Sequence, residues 1–347
     1  MIRSLTSALM VLLMAAFGIS VYQYLGSLKS RAPAQRPDAA AAAAKLPGTL
    51  YLAQGGALYR LARGRFSQLT PAQGWTQPEV SPDGSRLVAV KRAGNSSDLY
   101  LLGLDGQVQG QLTHNGSSTV EGSHWAFYPR FSPDGSSVYY SFDPKDRENS
   151  YRVDLAIFAL GIGSAGQPGR QWTRPNPYTG GDVIPTPLQA GSLLYAKYSI
   201  DRQGQVHSQL WIQARAGSPG LGLTRPEEDC SQPAVSRSQT LVAMVCRHGG
   251  ATGDLVVAPL EAASYELGPE RVVVGGQLVA SPSFSPDGLS LAYFAPASEG
   301  GPFQLWTVAV GAASPAASPP PSPARAPAPV LVTRNLSLDP AAGPAWI

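Results

Sequence analysis

The sequence predicts an all-β fold, a closed six-bladed β-propeller, and three observations lead there. An eight-residue pattern recurs at Gln77–Gly84, Tyr128–Gly135 and Ser281–Gly288, each copy ending in Ser-Pro-Asp-Gly and running into a short apolar stretch. A shorter marker, Pro-x-(apolar)-Ser, starts at Pro78, Pro129 and Pro282, with weaker copies at Pro185, Pro233 and Pro344. These markers lie roughly 50 to 60 residues apart, the scale of one four-stranded blade. The repeats also begin with a set of three strands and end with a single strand that has no set of its own.

Before the repeats, residues 4–28 carry no charge and include Leu5, Leu9, Val11, Leu12, Leu13, Phe17, Ile19, Val21 and Leu25. A run of about 20 apolar residues crosses the hydrocarbon of a bilayer, so residues 1–28 are expected to form a signal anchor with one transmembrane helix. Arg3 and the amino terminus precede it, which places the amino end in the cytoplasm and everything after about Lys29 on the exported, periplasmic or extracellular side. A cleaved signal peptide has similar flanks, but Val21 to Leu25 are bulky where a small-x-small cleavage site would fall. No cysteine lies near the end of the run for lipid attachment. Residues 29–47 are rich in Ala and Pro and poor in large side chains, and they read as a tether.

From Gly48 onward the strands follow in order. Ser-Pro-Asp-Gly is turn chemistry: Pro sets φ, Asp83, Asp134 and Asp287 bond their own backbone, and Gly84, Gly135 and Gly288 take the positive φ that closes the hairpin. Recurrent aspartates raise the question of calcium, but no acidic cluster surrounds them. Third strands read Asp98–Leu102, Asp154–Phe158, Gln209–Ile212, Asp254–Val257 and Gln304–Thr307. Fourth strands end at Leu112-Thr113, Trp172-Thr173, Leu223-Thr224 and Val332-Thr333. The opening set Gly48–Ala53, Ala57–Leu61, Gln68–Thr70 lacks only the strand that Pro344–Ile347 supplies. Three strands from the front and one from the back therefore complete one blade and remove the exposed edge.

These motifs resemble the TolB-like propeller repeats, the WD-like repeats with Pro-x-(aromatic)-Ser-Pro-Asp-Gly at the first turn and Leu-Thr at the fourth strand. The resemblance covers about residues 48–347 and implies the six-bladed architecture. TolB itself carries an α/β domain before its propeller, where this sequence has the tether. Propeller-bearing prolyl peptidases draw Ser, Asp and His from a hydrolase domain that does not follow the repeats here.

Composition narrows the function. Hydrophobic residues make 43% and charged residues 14% of the 347, with Gly 37 and Pro 32 favouring turns over helices. A net charge of +3 without any Lys/Arg run gives no support to a nucleic-acid partner. Gly161–Gly166 matches a dinucleotide fingerprint by letter, but Gln167-Pro168-Gly169 follows and no helix can start, so it reads as a blade loop. His114, Glu121 and His124 share one loop without a metal-binding spacing. With Trp125, Phe127 and Tyr128 behind it, that loop reads instead as a recognition surface.

The second-to-third and fourth-to-first connections emerge on one face, so His124, Trp125, Asp146, Arg147, Glu148, Asp201, Arg202 and Glu228 are expected to share a ligand-facing rim. Counting outward from the turn at Ser236–Gln239, Cys230 faces Cys246, which leaves open a bridge or two free thiols. Residues 312–329, rich in proline, interrupt the last blade between its third and fourth strands and should project from the opposite face. No cofactor, metal or catalytic signature is expected. The leading expectation is a membrane-tethered, non-catalytic scaffold that binds a protein or an envelope polymer. The alternatives are a structural domain and a glycan hydrolase or lyase with carboxylates at the channel mouth. Against the enzyme stand the apolar first-strand positions Val80, Phe131, Val235 and Phe284.

Overall fold

The computed structural model describes residues 38–39, 43, 45–146, 148–164, 169–310 and 328–347. The expected membrane span at 4–28, nearly all of the tether, Arg147 and most of the Pro-rich insertion lie outside the described residues. Among the described residues no helix is long and apolar enough to cross a membrane.

Six blades form a ring. Their innermost strands are Ala345–Trp346, Trp75–Val80, Ala126–Phe131, Asp182–Pro187, Cys230–Val235 and Ala280–Phe284, and we number blades 1 to 6 in that order. Each blade is a four-stranded antiparallel meander, except that blade 5 carries an additional short strand, Glu266–Leu267. Blade 1 joins the two ends of the chain: Trp346 pairs with Leu50 and Ala345 with Tyr51. Thr49 N–H donates to Ile347 O at 2.6 Å, and Ile347 N–H to Thr49 O at 2.9 Å. The ring is therefore closed as the strand count predicts, by three front strands and one back strand.

The chain reaches the ring slightly ahead of Gly48. Asp38–Ala39 pairs with Thr333–Arg334 beside blade 6, and Ala43 is buried with Leu50, Leu52, Phe294 and Val332 between blades 6 and 1. That apolar layer is typical of the whole molecule: the core lies between neighbouring sheets, which is why strands such as Leu87–Val90 and Leu241–Cys246 bury nearly every side chain on both faces.

Two sequence signatures acquire physical reasons. Thr70, Thr113, Thr173, Thr224 and Thr333 each accept a third-strand N–H on Oγ1, from Leu58, Leu99, Ile157, Leu210 and Leu305, at 2.9 to 3.0 Å. The hydroxyl takes over where the short fourth strand ends, so a buried donor stays paired. Blade 5 has no such Thr, and its outer strand Arg271–Gln277 extends the ladder instead. Of the Gly161 loop, the described residues Ile162–Ser164 form a three-residue 3₁₀ turn.

The three Ser-Pro-Asp-Gly turns are built alike. Ser81, Ser132 and Ser285 donate to Asp83, Asp134 and Asp287 at 2.5 to 2.6 Å, and Gly84, Gly135 and Gly288 have φ of 70°, 71° and 73°. Donation from the Ser81 and Ser85 hydroxyls and the Ser85 N–H holds the Asp83 carboxyl at about 2. The Ser132 hydroxyl and Ser136 do the same for Asp134, also at about 2, and Asp287 is lowered by Ser285. A carboxyl depressed on folding stabilises the fold above its unfolded pKa, near 4, and that contribution is lost as pH falls through the folded value. Thermal melts should therefore show an acid limb between about pH 4 and pH 2. The triple variant Asp83→Asn, Asp134→Asn, Asp287→Asn should be less stable at pH 7 and show a flatter limb, and an identical limb would remove these turns as its source.

Candidate functional site

Two cavities open along the ring axis from opposite faces. One, of about 220 Å³, lies on the rim side, where the inner strands begin, and is lined by Arg92, Phe127, Tyr128, Leu155, Ile184 and Tyr198 among others. The other, of about 500 Å³, lies among the Ser-Pro hairpins and reaches Arg237, Phe284 and Ile347. Arg130 and Pro282 line both and mark the waist.

The inner strands shape the waist through a repeated irregularity. In blades 2 to 6 the register slips at the residue before the marker proline and the proline itself, a β-bulge in each case. The residue ahead of the proline is left-handed every time: Gln77 (φ 49°), Tyr128 (53°), Ile184 (55°), Gln232 (55°) and Ser281 (49°). A non-glycine residue rarely takes this conformation, and for β-branched Ile184 it is a true outlier. Recurrence at one structural level around the ring marks it as part of the design of the channel.

Directly after each proline, one residue faces the axis. Around the ring these are Glu79, Arg130, Thr186, Ala234, Ser283 and Ala345, all of which line the hairpin-side cavity. Glu79 and Arg130 form an ion pair at 2.5 Å between blades 2 and 3, each side chain about one-quarter exposed. Burial pushes the Glu79 carboxyl above the ordinary glutamate value, against the pull of the guanidinium beside it. On the rim side, burial pushes the Tyr128 hydroxyl up to about 12, with Tyr198 and Asp339 adding to it, and burial also raises Tyr198.

Of the rim residues expected from sequence, none of those described lines either cavity. His124 Nδ1 lies 2.8 Å from Asp143 O and its ring stacks on Phe142, while Trp125 stacks on Phe127 at 5.7 Å. Asp146 pairs with Arg152 at 2.5 Å, Asp201 with His207 at 2.9 Å and Glu228 with Arg225 at 2.6 Å. Glu148 and Arg202 are exposed. Asp146, Asp201 and Glu228 are thus each paired with an opposite charge a few residues away. No three His, Cys, Asp or Glu side chains gather into a metal-holding group among the described residues. The turn residues stand where the hairpins need them. Cys230 and Cys246 are register partners, both fully buried, with Cα atoms 4.0 Å apart and sulfurs joined as a disulfide.

Sequence reading placed Val80, Phe131, Val235 and Phe284 at the channel, and all four line the hairpin-side cavity, but it missed the axis-facing residues directly after each proline. The signal was present as the variable letter of Pro-x-(apolar)-Ser and as the residue before its proline. Two exposed aromatics were missed as well. Tyr178 is 68% and Tyr151 75% exposed, on the connection after blade 3 and the loop within it. Tyr178 has φ 63°, and its N–H, with those of Thr179 and Gly180, donates to the Asp154 carboxylate. Arg152 lies 4.5 Å over its ring. A carboxylate gripping three successive N–H groups holds this loop in place and the ring out in solvent.

No protein-family model matches the sequence, and no curated protein shows significant similarity to it. Solved structures do share its fold. TolB from Acinetobacter baumannii superposes with a TM-score of 0.60 at 17% identity, covering 86% of this chain. This chain spans 66% of the length of that TolB. The putative TolB from Agrobacterium tumefaciens superposes with a TM-score of 0.51 at 15% identity, covering 76% of this chain and 85% of that one. The chain has the fold of the TolB-like six-bladed β-propellers.

Proposed function

We propose that the chain is a membrane-tethered propeller on the exported side, whose rim face binds a protein or an envelope polymer and catalyses no reaction. The charge-free run at 4–28 supports the tether, and the buried Cys230–Cys246 pair suits an oxidising compartment. The observation that carries the binding role is a pair of exposed tyrosines, Tyr151 and Tyr178, on the second-to-third and fourth-to-first connections of one face, the latter with an arginine stacked on it. Tyr and Arg are the residue types that dominate the centres of protein interfaces. The similarity to structures named TolB fits a binding scaffold at the level of fold.

The alternative, a glycan hydrolase or lyase, needs two facing carboxylates. The residues lining the two cavities include one, Glu79, already held by Arg130.

Photo-crosslinkers placed at Trp125 and at Tyr178 of the full chain, activated from the exported side, test the reading. Both positions should yield the same crosslinked partner, and a crosslinker at Arg237 on the hairpin face should not. Tyr151→Ala with Tyr178→Ala should cut the Trp125 crosslink at least about tenfold, as expected for a hot spot of about 2 kcal/mol or more. An equal yield from both faces, or an unchanged yield in the double variant, would contradict the assignment.

A further inference from the structure

We infer that the rim-side cavity receives a carboxylate on a short apolar stem, seated on backbone N–H groups that the bulges of blades 4 and 5 turn toward the axis. The carboxylate site deepens the partner-binding reading of this face and rests on it.

The ring shows its own chemistry in two places. Tyr128 N–H donates to Oε1 of Gln77 at 2.7 Å, and Ser281 N–H donates to Oε1 of Gln232 at 2.6 Å. In both, the left-handed residue before the marker proline points its N–H inward, and the residue at the same position of the preceding blade supplies an sp² oxygen. Ile184 and Gln232 occupy identical bulges, with the same slip between Val183 and Thr186 and between Ser231 and Ala234. Their counterparts in the preceding blades are Tyr128 and Ile184, which have no such oxygen to give. Among the described residues no side-chain acceptor reaches either N–H. The proline that follows each has no N–H of its own, so each bulge offers one donor.

Tyr128, Ile184 and Gln232 all line the rim-side cavity, so the Ile184 and Gln232 N–H groups, which no side-chain acceptor reaches among the described residues, belong to residues of its wall. Its walls at Phe127, Leu155, Val183 and Ile184 suit an aliphatic stem. Charge favours a carboxylate over a carboxamide. Arg92 stands 5.2 Å over the Phe127 ring and makes no ion pair among the described residues, and no carboxylate lines this cavity. The other charges nearby are engaged or outside it: Arg130 is held by Glu79, Arg247 by Asp229, and exposed Asp339 accepts the Ala341 N–H in its own turn. Inward N–H groups in a cavity that Arg92 also lines form an anion-accepting concavity.

Butyrate is a suitable probe, titrated into the ¹⁵N-labelled full-length chain in detergent micelles, with butyramide as the uncharged control. The amide protons of Ile184 and Gln232 should move downfield and saturate with butyrate, and more weakly with butyramide. Arg92→Ala should weaken butyrate about fivefold and leave butyramide unchanged. Tyr128→Gln with Ile184→Gln copies the internal oxygens of Gln77 and Gln232 and should reduce butyrate affinity at least about tenfold. The single Tyr128→Gln variant serves as the check should the double variant not fold, and it should shift the Ile184 amide without added butyrate. Shifts that rise without saturating, or butyrate binding retained in the glutamine variants, would overturn the site. If butyrate fails while the rim crosslinks persist, only the carboxylate is wrong. If butyrate binds and the crosslinks are absent, the partner reading fails instead.

Discussion

Removal of Pro344–Ile347 is expected to be the most damaging small deletion in the propeller. It takes away the paired N–H and C=O bonds between Thr49 and Ile347, the Trp346 Nε1–H donation to Pro47 O at 2.7 Å, and the cover over Leu50 and Tyr51, which are 1% and 3% exposed. A few hydrogen bonds at about 1 kcal/mol each, with the apolar area uncovered, sum to roughly 4–6 kcal/mol. Against a typical total of about 5–15 kcal/mol, that is a third or more of the stability of a domain. The melting temperature should drop by roughly 6–10 °C, or the chain should fail to fold. The loss should also be cooperative, because an unclosed blade 1 exposes an edge and uncovers the layers against blades 2 and 6 together. A melt unchanged within about 2 °C would mean that the carboxyl-terminal strand is an ornament on an already closed ring.

The second large effect is expected at the disulfide. Cys230 and Cys246 close a loop with a sequence separation of 16, for which the chain-entropy relation gives about 3 kcal/mol. Both side chains pack with Met244, Val256 and Leu210 in the layer between blades 4 and 5. The double variant Cys230→Ala, Cys246→Ala should therefore melt about 5 °C lower, with the six-bladed fold retained at room temperature. Because both sulfurs are buried, mild reductant should leave the folded protein unchanged and act only as the blade opens. A melt of the double variant that matches the parent, or two thiols titratable in the folded chain, would contradict a bond in this position.

The parts of the molecule that were legible in the sequence are those where one residue does one local job. Ser-Pro-Asp-Gly was readable because Pro, Asp and Gly each answer a separate backbone demand of the hairpin. The fourth-strand Leu-Thr was readable as a marker, although its cause, the threonine hydroxyl accepting a third-strand N–H, needed coordinates. Blade 5 shows the converse. Without the threonine its outer strand Arg271–Gln277 left no signature, and only the ladder to Gly253–Glu261 identifies it.

The site was less legible for two physical reasons. Period-two reasoning assigns side chains to faces, but the inner strands of blades 2 to 6 each carry a bulge at the marker proline, and a bulge resets which residues look inward. Glu79 and Arg130 were thus hidden in a variable position, while the apolar Val80 and Phe131 beside them, which also line the hairpin-side cavity, were the readable part of the lining. Local charge pairing was not legible either: Asp146, Asp201 and Glu228 pair with Arg152, His207 and Arg225 only a few residues away, and such pairs depend on how the loop folds. Tyr178 gave no signal at all, since its exposure depends on Asp154, whose grip on three backbone N–H groups is a property of the folded loop.

Amide hydrogen exchange at Thr49 and Ile347 tests ring closure most directly, since each of these N–H groups bonds the carbonyl of the other across the seam. A closed ring predicts that both exchange only through global unfolding, as slowly as core amides such as those of Leu99 and Leu210. Exchange of Ile347 at the rate of a frayed terminus, with Thr49 following it, would show an open seam and contradict the closed propeller.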